Sequence, residues 1–187
     1  MRTVDDDGDD ESTGFLPTHP KRRLSAVIAL TASGDTVWAL PGDYSAESVK
    51  ANDSHGVSCR VVVKSGVTLR STEGAAATSI VGASAVRCVW LRDGAAVKGF
   101  TLTGGRANYQ SVARPSAATA DDRAGGVYGE TYGTLCEDCV INDCRASIGG
   151  GGYSAIFNRC VFRNCQVPNM GSALLYGRAV NCFMDDN

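Results

Sequence analysis

Short apolar and β-branched runs, each followed by glycine or another turn residue, recur along this chain. Three runs near the end are copies of one another: CVINDC at 139–144, CVFRNC at 160–165 and CFMDDN at 182–187. The copies start 21 and then 22 residues apart. A period just above twenty residues is typical of a solenoid, in which each repeat is one coil stacked on its neighbours.

The repeat extends backward to FTLTGG at 100–105, so four copies share one frame: apolar, variable, apolar, two variable positions, turn residue. Alternation places both apolar positions on one face of a strand, and we expect that face in the core. Small or polar residues at the turn position suit an inward-pointing corner. The predicted core pairs are Phe100 and Leu102, Cys139 and Ile141, Cys160 and Phe162, and Cys182 and Met184, and the turn residues are Gly105, Cys144, Cys165 and Asn187.

Upstream of these copies, further strand candidates at 35–40, 59–63, 67–70, 78–81, 87–91 and 97–102 are separated mainly by glycines. Short strands that recur this often match a coil with three short faces. The sequence therefore predicts coils over 34–187, within a β-helix domain that spans 20–187.

The N-terminal part has a different pattern. Leu24, Val27, Ile28 and Thr31 follow helical spacing, which predicts a short amphipathic helix within 20–33. A solenoid's open end exposes apolar edges, so we expect this helix to act as a cap. Residues 1–19 carry an acidic run, and we expect a flexible, solvated leader there.

The frames that begin at Phe100 and Cys139 lie 39 residues apart, much more than one coil, so residues 106–124 form a predicted insertion. Long excursions from a rigid scaffold are often functional. Arginine forks suit uronate carboxylates, and tyrosine stacks on a sugar face. A solvated loop without function is the alternative. The candidate ligand-binding residues are Arg106, Tyr109, Arg114, Asp121, Asp122 and Arg123.

If the insertion folds back over the coil, it forms one wall of a groove. The floor would be the outward-facing residues Thr101, Val140 and Val161, which alternate with core positions. Such a flat ledge suits an extended chain rather than a small metabolite.

Composition narrows the function classes. The 187 residues have a formal net charge of −2, which argues against a nucleic-acid partner. No run of eighteen apolar residues predicts a membrane-spanning helix, and no secretion signal is visible at the start of the chain. The last copy ends at Asn187 with no capping segment, so we expect the chain to be truncated at this end. We expect the protein to be either a monomer or part of a longer chain.

The eight cysteines invite a disulfide or zinc interpretation. A zinc site would need a second CxxC beside the one at 136–139, and none is present, so no metal site is predicted. Cys139, Cys160 and Cys182 share one frame position, so they would stack about 4.8 Å apart on parallel strands. A disulfide needs a closer approach, and we expect a buried ladder of free thiols.

GDTVWALPGDY at 34–44, VKGFTLTGG at 97–105 and the later Gly-Gly … Cys-x-Phe-x-Asn coils carry a family resemblance. The chain resembles the right-handed parallel β-helix of the pectin-lyase-like superfamily, including bacterial surface β-helix repeat proteins. The resemblance implies an all-β solenoid with an extracellular or cell-surface location. It also implies one of several roles, since the superfamily contains pectate lyases, other polysaccharide lyases and hydrolases, and non-catalytic adhesins.

Two functions stay open. The first is an exported segment that presents a carbohydrate- or surface-binding face without a complete catalytic site, with a polysaccharide or cell-surface glycan as partner. The second is a polysaccharide lyase or glycoside hydrolase acting on acidic polysaccharide, with calcium as cofactor in the lyase case.

A lyase requires carboxylates clustered near an arginine on one strand face. Asp138 is followed at its equivalent positions by Arg159 and Asn181, so no acidic stack is predicted and the catalytic residues stay unassigned. A second set of equivalent positions, Asp143, Asn164 and Asp186, is predicted to form a polar ladder or a weak cation site. The sequence favours the binding function because it shows no cluster of carboxylates with a nearby arginine.

Overall fold

The computed structural model describes residues 2–51, 56–108, 119–168, 171 and 173–187. In this part of the chain, strands build three parallel sheets of seven, six and five members. The seven-stranded sheet contains β1 (Arg2–Val4), β2 (Thr36–Ala39), β5 (Thr68–Ser71), β8 (Ala96–Lys98), β11 (Leu135–Glu137), β14 (Ile156–Asn158) and β17 (Arg178–Val180). The six-stranded sheet contains β3 (Gly42–Tyr44), β6 (Thr78–Val81), β9 (Thr101–Thr103), β12 (Val140–Asn142), β15 (Val161–Arg163) and β18 (Phe183–Asp185). The five-stranded sheet contains β4 (Ser58–Val63), β7 (Val86–Leu91), β10 (Val127–Gly129), β13 (Gly152–Tyr153) and β16 (Leu174–Leu175).

From β2 onward the chain visits the three sheets in a fixed cycle, and every paired strand within a sheet is parallel to its neighbour. Each cycle is one coil, so the fold is a parallel β-helix, as the sequence predicts. Within a sheet, each strand pairs with the strand one coil further along. Residues at the same position of successive repeats are therefore register partners.

The core lies between the three sheets. In β9, β12 and β15 the register aligns Leu102, Ile141 and Phe162, all fully buried. Phe100 is also fully buried, which confirms the alternation predicted from the frame. Met184 occupies the next equivalent position but is 45% exposed, so its prediction as a core residue is wrong. Its strand β18 is the edge of the six-stranded sheet, and no described coil covers that side.

A short α-helix, α1 (Leu24–Ala29), is the only α-helix among the described residues. It buries Leu24, Val27 and Ile28 against the common core and packs on β1 and β4. The carboxylate of Glu47 accepts hydrogen bonds from the Ser25 amide (2.9 Å) and hydroxyl (2.6 Å), which fixes the start of the helix. No described helix is long and apolar enough to cross a membrane.

The beginning of the chain is ordered differently from the predicted leader. Residues Arg2–Val4 form β1, which pairs with β2, and Val4 is fully buried. Thr3 exchanges backbone hydrogen bonds with the segment that returns past Gly14 and Lys21. This segment is therefore part of the first coil, because three residues of β propensity precede the acidic run and complete the sheet edge.

Corners between sheets use the left-handed backbone region. Asp143, Asn164 and Asp186, at equivalent corners of three coils, have φ of 48°, 50° and 49°. Asp and Asn tolerate this conformation better than most residues, which explains why the ladder positions carry them. The ladder is thus a backbone requirement of the corner. The Asn187 side chain bonds both the Cys165 amide (3.0 Å) and the Phe162 carbonyl (3.2 Å) of the preceding coil.

All eight cysteines are free thiols in this structure. Cys139 and Cys160 are buried, while Cys182 is half-buried near the uncovered end. Burial raises the pKa of the Cys136 thiol well above its usual value, and burial likewise raises the pKa of Cys165 to about 12. These thiols are therefore neutral and packed as small apolar groups.

Candidate functional site

The outer face of the seven-stranded sheet carries one line of side chains in register. Trp38 pairs with Arg70, Arg70 with Lys98, Lys98 with Glu137, and Glu137 with Asn158. Strands in a sheet lie about 4.8 Å apart, so these side chains follow the coil axis at that interval. We call Arg70, Lys98, Glu137 and Asn158 the charged column.

Glu137 is the centre of the charged column. Lys98 Nζ lies 3.0 Å from Glu137 Oε2, and Arg159 Nη2 lies 3.2 Å from Glu137 Oε1. Asn158 donates to the same Oε1 at 2.8 Å. The hydrogen bond from Lys98 is the largest cause that lowers the pKa of Glu137, and Asn158 adds to it. Both oxygens of this carboxylate are thus occupied by donors of the column and its adjacent turn.

Directly after Glu137 the chain turns through Asp138, and one coil later it turns through Arg159 after Asn158. Both residues are left-handed, with φ of 54° and 53°. Arg159 donates from Nε and Nη2 to the two oxygens of Asp138, at 2.7 and 2.8 Å. Hydrogen bonding to Arg159 lowers the pKa of Asp138, and the same bonds raise the pKa of Arg159. We call Asp138 and Arg159 the turn pair.

At the other end of the charged column, the guanidinium of Arg70 lies 5.2 Å from the ring centre of Trp38. Arg70 is exposed, and within the described residues it forms no ion pair. A surface groove of about 250 Å³ runs beside it, bounded by Lys98, Glu137 and Asp138 and by the loop 71–74. The groove therefore presents a cation next to an aromatic ring, the carboxylate of Glu73 in the same coil, and the carboxylates of Glu137 and Asp138 two coils away.

A second outward line runs beside the charged column on the same sheet. It aligns Thr68, Ala96, Leu135, Ile156 and Arg178. Leu135 and Ile156 are half-buried, and Arg178 is exposed. The face thus combines a polar line with an apolar ledge along the coil axis.

The structure distributes the predicted site residues of the insertion over separate contacts. Arg106 donates to the backbone oxygen of Asp143 (2.7 Å) and pairs with its carboxylate (3.3 Å). Asp121 accepts from the amides of Gly56 (2.7 Å) and Val57 (3.2 Å). Tyr109 and Arg114 lie outside the described residues.

Two further predicted residues shape the end of the insertion. Asp122 Oδ2 accepts from the amide (2.8 Å) and hydroxyl (2.9 Å) of Thr119 and so caps a 3-10 turn at Ala120–Asp122. The guanidinium of Arg123 lies 4.8 Å from the ring centre of Tyr153 in β13. Asp121 and Asp122 thus have structural partners, and the described contacts do not gather the predicted residues into one cluster.

Arg87, which the sequence analysis overlooked, holds the insertion against the five-stranded sheet. It is fully buried and donates to the carbonyls of Ala124 (2.6 Å), Ala120 (2.7 Å) and Arg123 (2.5 Å). The outer face of that sheet also carries an aromatic line, in which the ring centres of Tyr128 and Tyr153 are 5.5 Å apart. The Tyr128 ring lies 4.2 Å from Trp90.

The sequence-based statement that no cluster of carboxylates lies near an arginine on one strand face is wrong. Glu137 and Asp138 lie beside Arg159 and Lys98. Asp138 and its equivalents Arg159 and Asn181 do not by themselves indicate this cluster. It also needs Glu137 and Lys98, which occupy a neighbouring repeat position. The frame did contain the signal, since Lys98, Glu137 and Asn158 each precede a frame start by two residues.

The parallel coils and three-sheet cross-section define a parallel β-helix. A rhamnogalacturonan lyase of known structure superimposes on 98% of this chain with a TM-score of 0.54 and 14% sequence identity. The chain spans 50% of the length of that lyase. No family model matches the sequence. No curated protein matches it either. The likeness therefore concerns the fold.

Proposed function

We propose that this chain is an exported β-helix segment that binds an acidic polysaccharide along the outer face of its seven-stranded sheet. The observation that carries the proposal is the charged column in register, with Arg70 beside Trp38 and a groove alongside. A cation next to an aromatic ring suits a uronate, because the guanidinium binds the carboxylate while neighbouring ring surface contacts the sugar. The superimposed rhamnogalacturonan lyase supports a glycan as the partner.

The shape of the surface favours an extended ligand. Column side chains recur once per coil, and the apolar ledge of Leu135 and Ile156 runs parallel to them. A polymer laid along the coil axis would meet a polar or charged side chain at each of these four coils, and the apolar ledge at two of them. A compact metabolite would leave most of this line unused, since such ligands prefer concave pockets.

The alternative is a polysaccharide lyase or hydrolase, with calcium as cofactor in the lyase case. A general acid at neutral pH needs a raised carboxyl pKa, and a general base needs a group that loses its proton readily. Glu137 and Asp138 have lowered pKa values and hold cations, while the pKa of Arg159 is raised. This cluster therefore supports binding better than proton transfer.

Several finer features belong to the same proposal. The coil is right-handed, since crossovers between parallel strands almost always are. Helix α1 covers the apolar edge of the first coil and acts as its cap. The protein works outside the cell or at its surface, as a monomer or as part of a longer chain, with buried thiols stacked as a ladder. The insertion arginines form a separate contact for an acidic glycan, since Arg106 and Arg123 lie beside the six-stranded and five-stranded sheets.

Binding of polygalacturonate, measured by titration calorimetry at low ionic strength, tests the proposal. Arg70→Ala should weaken binding about tenfold, the loss expected for one charge-assisted hydrogen bond. Arg163→Ala is the matched control, because Arg163 is an exposed cation on the six-stranded sheet. Equal losses of affinity in both variants would show that only net charge matters, and would contradict binding at the seven-stranded sheet. Release of unsaturated sugar products in the presence of calcium would instead establish the lyase.

A further inference from the structure

Two of the four cations along the proposed binding face, Lys98 and Arg159, are already paired with carboxylates of the protein itself. Lys98 pairs with Glu137 at 3.0 Å, and Arg159 is held by both oxygens of Asp138. Arg70 and Arg178 are the cations of this face for which the described residues provide no ion pair. The charge available to an acidic ligand is therefore set by these two carboxylates as much as by the four cations.

The positions of these carboxylates follow from the repeat. Glu137 lies in line between Lys98 and Asn158, one coil from each, so its carboxylate reaches the cation of the preceding coil. Asp138 and Arg159 occupy equivalent corners of successive coils, which brings their side chains together. Both carboxylates thus bind where the carboxylate of an acidic polymer lying along the same axis would bind.

We infer that Glu137 and Asp138 are specificity-determining residues, which occupy Lys98 and Arg159 in place of the ligand's carboxylates and so limit affinity for densely charged acidic glycans. This inference rests on the proposed binding of an acidic polysaccharide at the same face. An incoming polymer exchanges one carboxylate for another at Lys98 and Arg159, so it gains little there and suffers repulsion from Glu137 and Asp138. Arg70 and Arg178, which form no ion pair with described residues, supply the remaining attraction.

Substitution of an ordinary contact residue weakens ligand binding, whereas removal of either carboxylate charge should strengthen it. Glu137→Gln and Asp138→Asn keep the side-chain size and one acceptor oxygen but remove the negative charge. Each should tighten polygalacturonate binding about twofold to fivefold, the range expected for one exposed ion pair. Asp185→Asn is the matched control, because Asp185 is an exposed carboxylate on the six-stranded sheet and its loss changes net charge equally.

Calorimetric titration of the wild type and these variants with polygalacturonate, and with its neutral methyl-esterified counterpart, decides the matter. Tighter binding by Glu137→Gln or Asp138→Asn, confined to the acidic polymer and larger than for Asp185→Asn, is the expected result. Thermal unfolding of each variant identifies any that fails to fold, and the other variant then carries the test.

The outcomes separate the two proposals. If Arg70→Ala weakens binding while Glu137→Gln and Asp138→Asn match Asp185→Asn, the inference is overturned and the proposed function stands. An equal gain for the neutral polymer would also overturn the inference. If neither the wild type nor any variant binds either polymer, the proposed function fails together with the inference that rests on it.

Discussion

Asp138 and Arg159 lie at the same corner of two successive coils, and they form a two-point ion pair with N–O distances of 2.7 and 2.8 Å. Both residues have a left-handed backbone, which is uncommon for arginine. The stacking of coils brings together two residues that are 21 positions apart in sequence. Because the equivalent position is Asp138 in one coil and Arg159 in the next, stacking of the coils produces an attractive ion pair instead of repulsion between like charges.

The first prediction concerns the pH dependence of stability at Glu137. Its folded-state pKa is lowered by Lys98 and Asn158, so its contribution is fully present above the ordinary value of 4.5. The contribution is lost as the pH falls through the lower folded-state pKa. Glu137→Gln should therefore remove about 1 kcal/mol or less of unfolding free energy at neutral pH. It should converge with the wild type in strong acid.

Urea unfolding at several pH values between neutrality and strong acid measures this dependence. Glu11→Gln is a suitable control, because Glu11 is exposed in the N-terminal segment. A constant difference between the wild type and Glu137→Gln across the whole range would show that the ion pair makes no pH-dependent contribution.

The second prediction concerns the thiols. We expect Cys139, Cys160 and Cys182 to be unpaired, and the buried cysteines to react with a thiol reagent only after unfolding. Cys182 is half-buried and should react first in the native protein. Thiol counting in native and in denaturing, non-reducing buffer gives the numbers. Recovery of four disulfides would refute the ladder of free thiols.

The third prediction concerns Arg87. Arg87→Ala leaves three carbonyl groups, those of Ala120, Arg123 and Ala124, without their guanidinium donor. Loss of buried hydrogen bonds and packing should lower the unfolding free energy by about 3 kcal/mol or more. Denaturant unfolding measures the change, with Arg163→Ala as a surface control expected to stay within about 0.5 kcal/mol. Similar small effects for both variants would show that Arg87 does not anchor the insertion.

The fourth prediction concerns the insertion as a second contact. Replacing Arg106, Arg114 and Arg123 together with Ala should weaken binding to an acidic glycan without unfolding the scaffold. The reason is that Arg106 and Arg123 are half-exposed and so contribute little to the core. A glycan array and thermal unfolding measure the two effects. Unchanged array binding would identify the insertion as a solvated loop.

The coil architecture could be predicted because it depends on local periodicity. Alternation alone predicts that Leu102, Ile141 and Phe162 lie in the core, and their burial confirms the frame. Met184 follows the same frame yet is exposed, because burial requires a covering coil as well as a correct position. The prediction of a flexible leader over residues 1–19 fails at Arg2–Val4 for a similar reason, since composition does not show that this strand pairs with β2.

The sequence by itself determined the coil period, the inward positions and the corner residues, since each follows from short-range alternation and backbone preference. Only the tertiary structure decided which side chains meet. Arg70, Lys98, Glu137 and Arg159 are spread over 90 residues of sequence, yet they line one face because the register places successive coils side by side. Register depends on how many residues each turn and insertion contains. The physical reason is that periodicity determines which side chains of a strand point inward, whereas contact between strands depends on the whole path of the chain.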